Sequence, residues 1–294
     1  MSASPPVAFL DTPPCRLGES PVWDERTNEL FWVDIPAGEV HSLDLSSKKH
    51  RHWKFDGPAG CVSLARSGRL LVALCGSVHV FDRDREDLQL LATLEPEYPA
   101  KRLNDGKVGP DGAFWIGSMD DRPIKENVGT LFRVTADGGV TRAISGFKVS
   151  NGLAWSFDKR TMYHSDSRGP WVDAWDFDPA SGAIDRRRRI RTLTETEGRP
   201  DGAACDAEGG YWSCGVSAGR LNRFGSDGRL LETVTMPVPH PTMLCFAGKD
   251  LRTAYVTSLR EGLPPQDLVP SPNSGRPFAM DLGYAGVPID RFRD

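Results

Sequence analysis

Short runs of aromatic and β-branched residues recur along the chain, separated by clusters of Gly, Asp, Asn and Ser. Runs of this kind read as strands closed by tight turns. Six of them hold equivalent places: Leu30-Phe31-Trp32-Val33, Leu70-Leu71-Val72-Ala73, Ala113-Phe114-Trp115-Ile116, Thr161-Met162-Tyr163-His164, Tyr211-Trp212-Ser213-Cys214 and Thr253-Ala254-Tyr255-Val256. Each follows a segment suited to reversal, namely Asp24 to Asn28, Ser67-Gly68, Asp111-Gly112, Asp158-Lys159, Glu208-Gly209 and Gly248 to Asp250. The third unit continues with Thr130 to Val134, a turn at Asp137-Gly138-Gly139, and Val140 to Ile144. The spacing of a long amphipathic helix is missing throughout.

Six similar units, recurring at roughly 40–50 residues, predict an all-β, six-bladed β-propeller with four antiparallel strands per blade around a central channel. A two-sheet sandwich would not explain the repetition. The last unit lacks a clear fourth strand, while Val7-Ala8-Phe9-Leu10 stands outside the first. The N-terminal strand is therefore expected to complete the blade near Pro277 to Leu282. Length alone suggests about two domains, but a ring closed in this way makes residues 1–294 a single domain.

Composition fits a folded chain, with 39% hydrophobic residues, eight Trp and thirteen Phe to bury. A net charge of -4 gives no electrostatic reason to expect nucleic acid or an anionic membrane as partner. Met1 to Pro14 shows no basic segment followed by an apolar one, and no apolar run reaches the roughly 18 residues of a membrane span. A cytoplasmic location is expected. The six cysteines (Cys15, Cys61, Cys75, Cys205, Cys214 and Cys245) are scattered and form no C-x-x-C pair, so they read as buried free thiols in a reducing compartment. Arg186 to Arg189 with Arg191 read as an exposed outer strand of the fourth blade. Asp82 to Asp87 reads as a solvated loop, since it lacks the central Gly and distal Glu of an EF-hand. Neither a G-x-S-x-G elbow, a P-loop nor H-E-x-x-H occurs. The histidines read as structural, although His164 and His240 stand near the expected channel.

The propeller makes a chemical prediction. Residues where the innermost strand of each blade begins crowd one mouth of the channel. At that phase stand Glu19, Asn104 or Asp105, Asn151 and Asp201. Asn-Gly and Asp-Gly are ordinary turn dipeptides, but their shared phase is not ordinary. Two carboxylates with one or two amide oxygens make a hard ligand set suited to Ca²⁺, Mg²⁺, Mn²⁺ or Fe²⁺ rather than to a typical zinc site. Periodicity leaves the choice between Asn104 and Asp105 open, because a one-residue slip turns a strand's side chains to the other face.

At these residues the chain resembles the SMP-30/gluconolactonase/regucalcin-like family of sugar-lactone lactonases. The resemblance is carried by Gly18-Glu19-Ser20-Pro21-Val22-Trp23, Val33-Asp34-Ile35-Pro36, Asn104-Asp105-Gly106-Lys107, Ser150 to Ser156, Pro200-Asp201-Gly202 and Tyr255-Val256-Thr257-Ser258. It implies one divalent cation (Ca, Fe(II), Mn, Mg or Zn) held by Glu19, Asn151 and Asp201. It implies substrate contacts from Arg102 and Asn104, and from an acidic residue after Gly117-Ser118-Met119, taken as Asp121. The implied reaction is hydrolysis of a sugar lactone to its aldonic acid. Either Asp201 or the cation would deal with the proton of the attacking water, and the choice stays open here. The alternatives are a non-catalytic calcium-binding or protein-interaction propeller, and a hydrolase of another ester or phosphotriester.

Overall fold

The computed structural model describes residues 6–95 and 97–294. Residues 1–5, part of the N-terminal stretch expected to hold no signal, lie outside the described residues. Six four-stranded antiparallel sheets form the blades of a β-propeller. The innermost strands are Gly18–Asp24, Ala59–Leu64, Lys101–Val108, Ser150–Trp155, Pro200–Cys205 and Pro241–Ala247, for blades 1 to 6. Second strands follow at Glu29–Asp34, Leu70–Leu74, Phe114–Asp120, Thr161–Asp166, Tyr211–Gly215 and Thr253–Ser258. These lie within a residue of the aromatic runs. The only helix among the described residues is the four-residue Pro265–Leu268, and no helix is long and apolar enough to cross a membrane.

Blade position explains the sequence pattern. The first two strands of a blade are covered on both faces by neighbouring blades. They are buried along nearly their whole length and read as continuous apolar runs rather than alternating ones. The outermost strands face water, and Asp87–Thr93 is mostly exposed.

Each blade-to-blade interface carries its own apolar cluster. Phe31 meets Val62 and Val72 between blades 1 and 2, and Leu71 meets Phe114 and Phe132 between blades 2 and 3. Trp115, Trp155 and Phe177 join blades 3 and 4. Tyr163 and Tyr211 join blades 4 and 5, with ring centroids 4.8 Å apart. Trp212 packs with Phe246 and Phe278 between blades 5 and 6, and Trp23 and Trp32 with Cys245 between blades 6 and 1. The core is thus a ring of six interfaces, with polar groups free to occupy its centre.

Val7–Phe9 forms the outer strand of blade 6, pairing antiparallel with Phe278–Asp281 through Val7 and Met280, Ala8 and Ala279, and Phe9 and Phe278. The two ends of the polypeptide meet in one sheet, so blade 6 cannot form without both.

The C-terminal tail runs across the mouth opposite the one where inner strands begin. Val287 N donates to Cys205 O at 3.0 Å, Lys159 pairs with Asp290 at 2.6 Å, and Phe292 bridges in parallel to Ala65. Phe292 is fully buried among Leu71, Val108 and Phe114. Beneath the tail lies a cavity of about 90 Å³ lined by Val62, Leu64, Trp155, Leu244, Phe246 and Ile289.

The basic run Arg186 to Arg189 lies on Ile184–Thr192, the outer strand of blade 4. Its charge is spent locally. Arg187 and Arg189 pair with Asp173, Arg186 and Arg188 with Asp176, and Arg191 with Glu197. All six cysteines are free thiols, five of them buried.

Two predictions follow from this packing. Phe292→Ala should cost about 3–5 kcal/mol by opening a cavity in the interface between blades 2 and 3, a loss that denaturant unfolding will register. The second concerns His41 in blade 1, buried against Trp32 and His50 with its Nδ1 3.1 Å from His50 Nε2. Burial, then His50 and His52, push its pKa down to about 3; Glu39, 3.4 Å from Nε2, does not offset this. The unfolded chain takes up the proton below about pH 6.5, while the folded protein refuses it until about pH 3. The contribution of His41 to stability is therefore present in full above pH 6.5 and is lost with acidification by up to about 1.4 kcal/mol per pH unit until pH 3. His41→Gln should flatten the fall in urea midpoint between pH 6.5 and 5; an unchanged slope would assign it to other groups.

Candidate functional site

A single device shapes the mouth. Every inner strand loses register with its neighbour near its start: between Glu19 and Val22, Ala59 and Cys61, Leu103 and Gly106, Asn151 and Ala154, Pro200 and Ala203, and Pro241 and Leu244. Such bulges bend a strand and re-aim its side chains. Ser20 takes φ 53 at the first, and Gly152 takes φ 63 at the fourth. A Cβ on Gly152 would come within 2.4 Å of Ser165 Oγ and 2.5 Å of Tyr211 Oη, so glycine is required for space as well as conformation. The Asn-Gly and Asp-Gly pairs at these points are bulged strand, not turn.

The bulged residues stitch adjacent blades together. Ser20 exchanges two 3.0 Å hydrogen bonds with the Val62 backbone. Asn104 Nδ2 donates to Ser150 O at 3.0 Å, and Leu153 N donates to Asp105 Oδ2 at 2.9 Å. Asn151 Nδ2 donates to Asp201 Oδ1 and, at 3.0 Å, to Ser167 Oγ, while Asn151 Oδ1 accepts from Gly152 N at 3.1 Å.

Glu19, Asp105 and Asp201 form an acidic cluster at this mouth. Burial, Asp201 and then Asp105 drive the proton affinity of Glu19 well above the usual carboxylate range, against a hydrogen bond from Ser20 N and the charge of Arg102. Burial pushes Asp201 up to about 8, opposed by its bond from Asn151. Asp105 is raised by burial too, with Lys107 opposing. Lys107 is itself lowered by burial, and its ammonium donates to Ala203 O.

The expected substrate residues gather beside the acids. Arg102 Nη1 donates to Asn104 Oδ1 at 2.9 Å, and its Nε to Asp121 Oδ1 at 3.2 Å. Asp120 turns away into a buried pairing with Arg122 at 2.8 Å and a 2.7 Å bond from Glu126 N. Of the two adjacent acids, Asp121 is the one that reaches Arg102. His164 and His240 lie outside the cluster: His164 Nε2 meets Ser150 Oγ at 2.7 Å inside blade 4, and His240 Nδ1 meets Val216 O at 2.6 Å.

The geometry adds residues that the sequence left unassigned. Asp105 and Asn104 both serve the mouth, because the bulge falls between Leu103 and Gly106. Asp105 Oδ1 is buried with no hydrogen-bond partner. Ser167 touches Asn151 from the loop between the second and third strands of blade 4. Lys107, two positions beyond Asp105 on the same strand, opposes its charge.

The donor set can be tested for a cation. Among the described residues no three His, Cys, Asp or Glu side chains are spaced to ligate one ion. The expected set differs in kind, since it is two carboxylates and the amide of Asn151. Neighbouring carboxylates that raise one another's proton affinity, with an orphaned carboxylate oxygen nearby, mark a place short of positive charge. Oxygen donors of this type fit a hard divalent cation.

Residues 17–260 match the family described as SMP-30/Gluconolactonase/LRE-like region. The chain is 36% identical to regucalcin of Sus scrofa over 280 residues, covering 93% of this chain and 94% of that protein. It is 35% identical to regucalcin of Homo sapiens, covering 93% of each. Its fold superposes with TM-score 0.91 on a calcium-binding regucalcin from Agrobacterium tumefaciens, at 26% identity over 99% of this chain and 98% of that one. A luciferin-regenerating enzyme gives TM-score 0.91 at 30% identity over 99% of this chain and 100% of that one. A gluconolactonase from Xanthomonas campestris shares the fold, with TM-score 0.71 at 20% identity over 95% of this chain and 98% of that one. The chain belongs to the SMP-30/gluconolactonase/LRE-like family.

Proposed function

We propose that this protein is a metal-dependent lactonase that opens a sugar-derived aldonolactone to the aldonic acid. The observation that carries the reading is the meeting of Glu19, Asn151 and Asp201 with Arg102 and Asn104 at one mouth, from strands spread over most of the chain. Family membership supports it, as does the name gluconolactonase borne by a structural neighbour. A calcium-binding regucalcin of the same fold supports a divalent cation held by Glu19, Asn151 and Asp201. Six free thiols suit a reducing, cytoplasmic setting.

A lactone is a cyclic ester, and its hydrolysis needs a polarised carbonyl and a water stripped of a proton. When bound, a divalent cation supplies Lewis-acid polarisation and lowers the pKa of water. The chain does the rest. Arg102 and Asn104 offer donors and acceptors to sugar hydroxyls, and Asp121 holds the Arg102 fork in place. In this reading Asp201 takes the proton of the attacking water as general base. Asn151 fixes its carboxylate.

The test is hydrolysis of several aldonolactones, followed with a pH indicator and corrected for spontaneous opening. Chelation should abolish turnover and a divalent cation restore it. Glu19→Ala and Asp201→Ala should each lower kcat/KM by at least about a hundredfold. Full activity in the metal-free protein would refute the mechanism. Cation binding without turnover of any lactone would assign the site to a binding propeller.

A further inference from the structure

The inner strands carry few charges, and most of those cancel in pairs. Their cations are Lys101, Arg102 and Lys107, all in blade 3. Lys101 pairs with Glu95 at 3.5 Å and Glu97 at 3.3 Å, and Arg102 with Asp121 at 3.2 Å. Of the acids on these strands, Asp24 is taken by Arg26 and Arg291, each at 2.9 Å. Among the described residues this leaves four inner-strand charges outside any ion pair: Glu19, Asp105, Asp201 and Lys107.

Lys107 crosses the channel beneath the acids. Its Nζ donates to Ala203 O, which ties blade 3 to blade 5 in front of the inner strand of blade 4. Two strand positions span at most about 7 Å. Ala203 is two positions beyond Asp201, and Lys107 is two beyond Asp105, so the ammonium lies close to both carboxylates while bonding to neither. The same side chain lines the mostly apolar cavity under the tail, with Leu244, Cys205 and Cys245. Charges in such surroundings act on one another over longer distances than in water, because little intervenes to screen them. The mutual influence shows in both groups: burial lowers the proton affinity of Lys107 and Asp105 supports it, while burial raises that of Asp105 and Lys107 opposes it.

The balance specifies a charge. Three ionised carboxylates against one ammonium leave two negative charges, the complement of one divalent ion. Without Lys107 the deficit would be three, which suits a trivalent ion. We propose that Lys107 is the internal counter-charge of the cation site, weakening its hold on every cation in proportion to ionic charge and thereby favouring divalent over trivalent ions. This inference rests on the cation proposed for Glu19, Asn151 and Asp201. A less negative surrounding also leaves a bound cation the stronger Lewis acid.

The test is calorimetric titration of Ca²⁺ and La³⁺, ions of similar size, into the chelator-treated full-length protein. Lys107→Gln removes the charge and keeps a donor for Ala203 O, Lys107→Met is a second uncharged variant matched to the apolar walls, and Lys107→Arg keeps the charge. Either uncharged variant should bind Ca²⁺ about tenfold more tightly and La³⁺ about thirtyfold, since the gain in log affinity scales with the charge of the ion. Lys107→Arg should stay within about threefold of the unsubstituted protein for both ions. A merely structural role moves the readout the other way, because loosened ligands bind less well. Unchanged or weaker binding in the uncharged variants would overturn the proposal, as would an equal gain for the two ions. Binding of neither ion to the unsubstituted protein would overturn it together with the cation site. The expected gains, with no lactone hydrolysed, would keep the role of Lys107 and remove the lactonase reading.

Discussion

The cost of burying carboxylates at the centre of a ring is the constraint around which this molecule is organised. Glu19, Asp105 and Asp201 lie together where water is scarce, and each is driven toward its protonated form by burial. A cluster like this survives only if surrounding groups hold its members apart and in place. Asn151 and Leu153 N do so from a neighbouring strand, Ser20 N and Lys107 from the acids' own strands. The six apolar interfaces supply the stability that tolerates the arrangement, since nearly all of the large side chains lie between blades rather than in the channel.

The two ends of the channel have opposite chemistry for the same reason. Inner strands begin in bulges that present polar heads, then settle into regular pairing whose side chains are apolar. The far half therefore encloses a small, mostly apolar cavity, and the C-terminal tail covers it with Val287 and Ile289. Access to the acids is left to the mouth where the loops of blades 3 and 4 carry Asp121, Lys125, Ser167 and Arg168. Variation in these loops changes what enters without disturbing the inner strands, the usual division of labour between loops and scaffold.

The architecture was legible because the second strands are buried on both faces. Trp32, Trp115 and Trp212 are each at most 1% exposed, and such positions demand large apolar residues that stand out in the sequence. The histidines were harder to place. His164 stood near the expected channel by register, yet its ring turns into the interface of blades 3 and 4, against Phe147 and Ser150. The basic run was less legible still: only the positions of Asp173 and Asp176 show that the charge of Arg186 to Arg189 is spent locally.

By itself the sequence determined the repeat, and with it the all-β propeller and the phase at which Glu19, Asn104, Asn151 and Asp201 recur. Period and phase are one-dimensional properties, written in the spacing of apolar runs and turn residues. Tertiary structure decided which of two adjacent residues faces the channel, because a bulge breaks the alternation on which such a choice depends. At Asn104 and Asp105 it aimed both inward. It also decided which polar groups meet across blades, since Asn151 and Asp201, or Leu153 and Asp105, become neighbours only when adjacent blades pack.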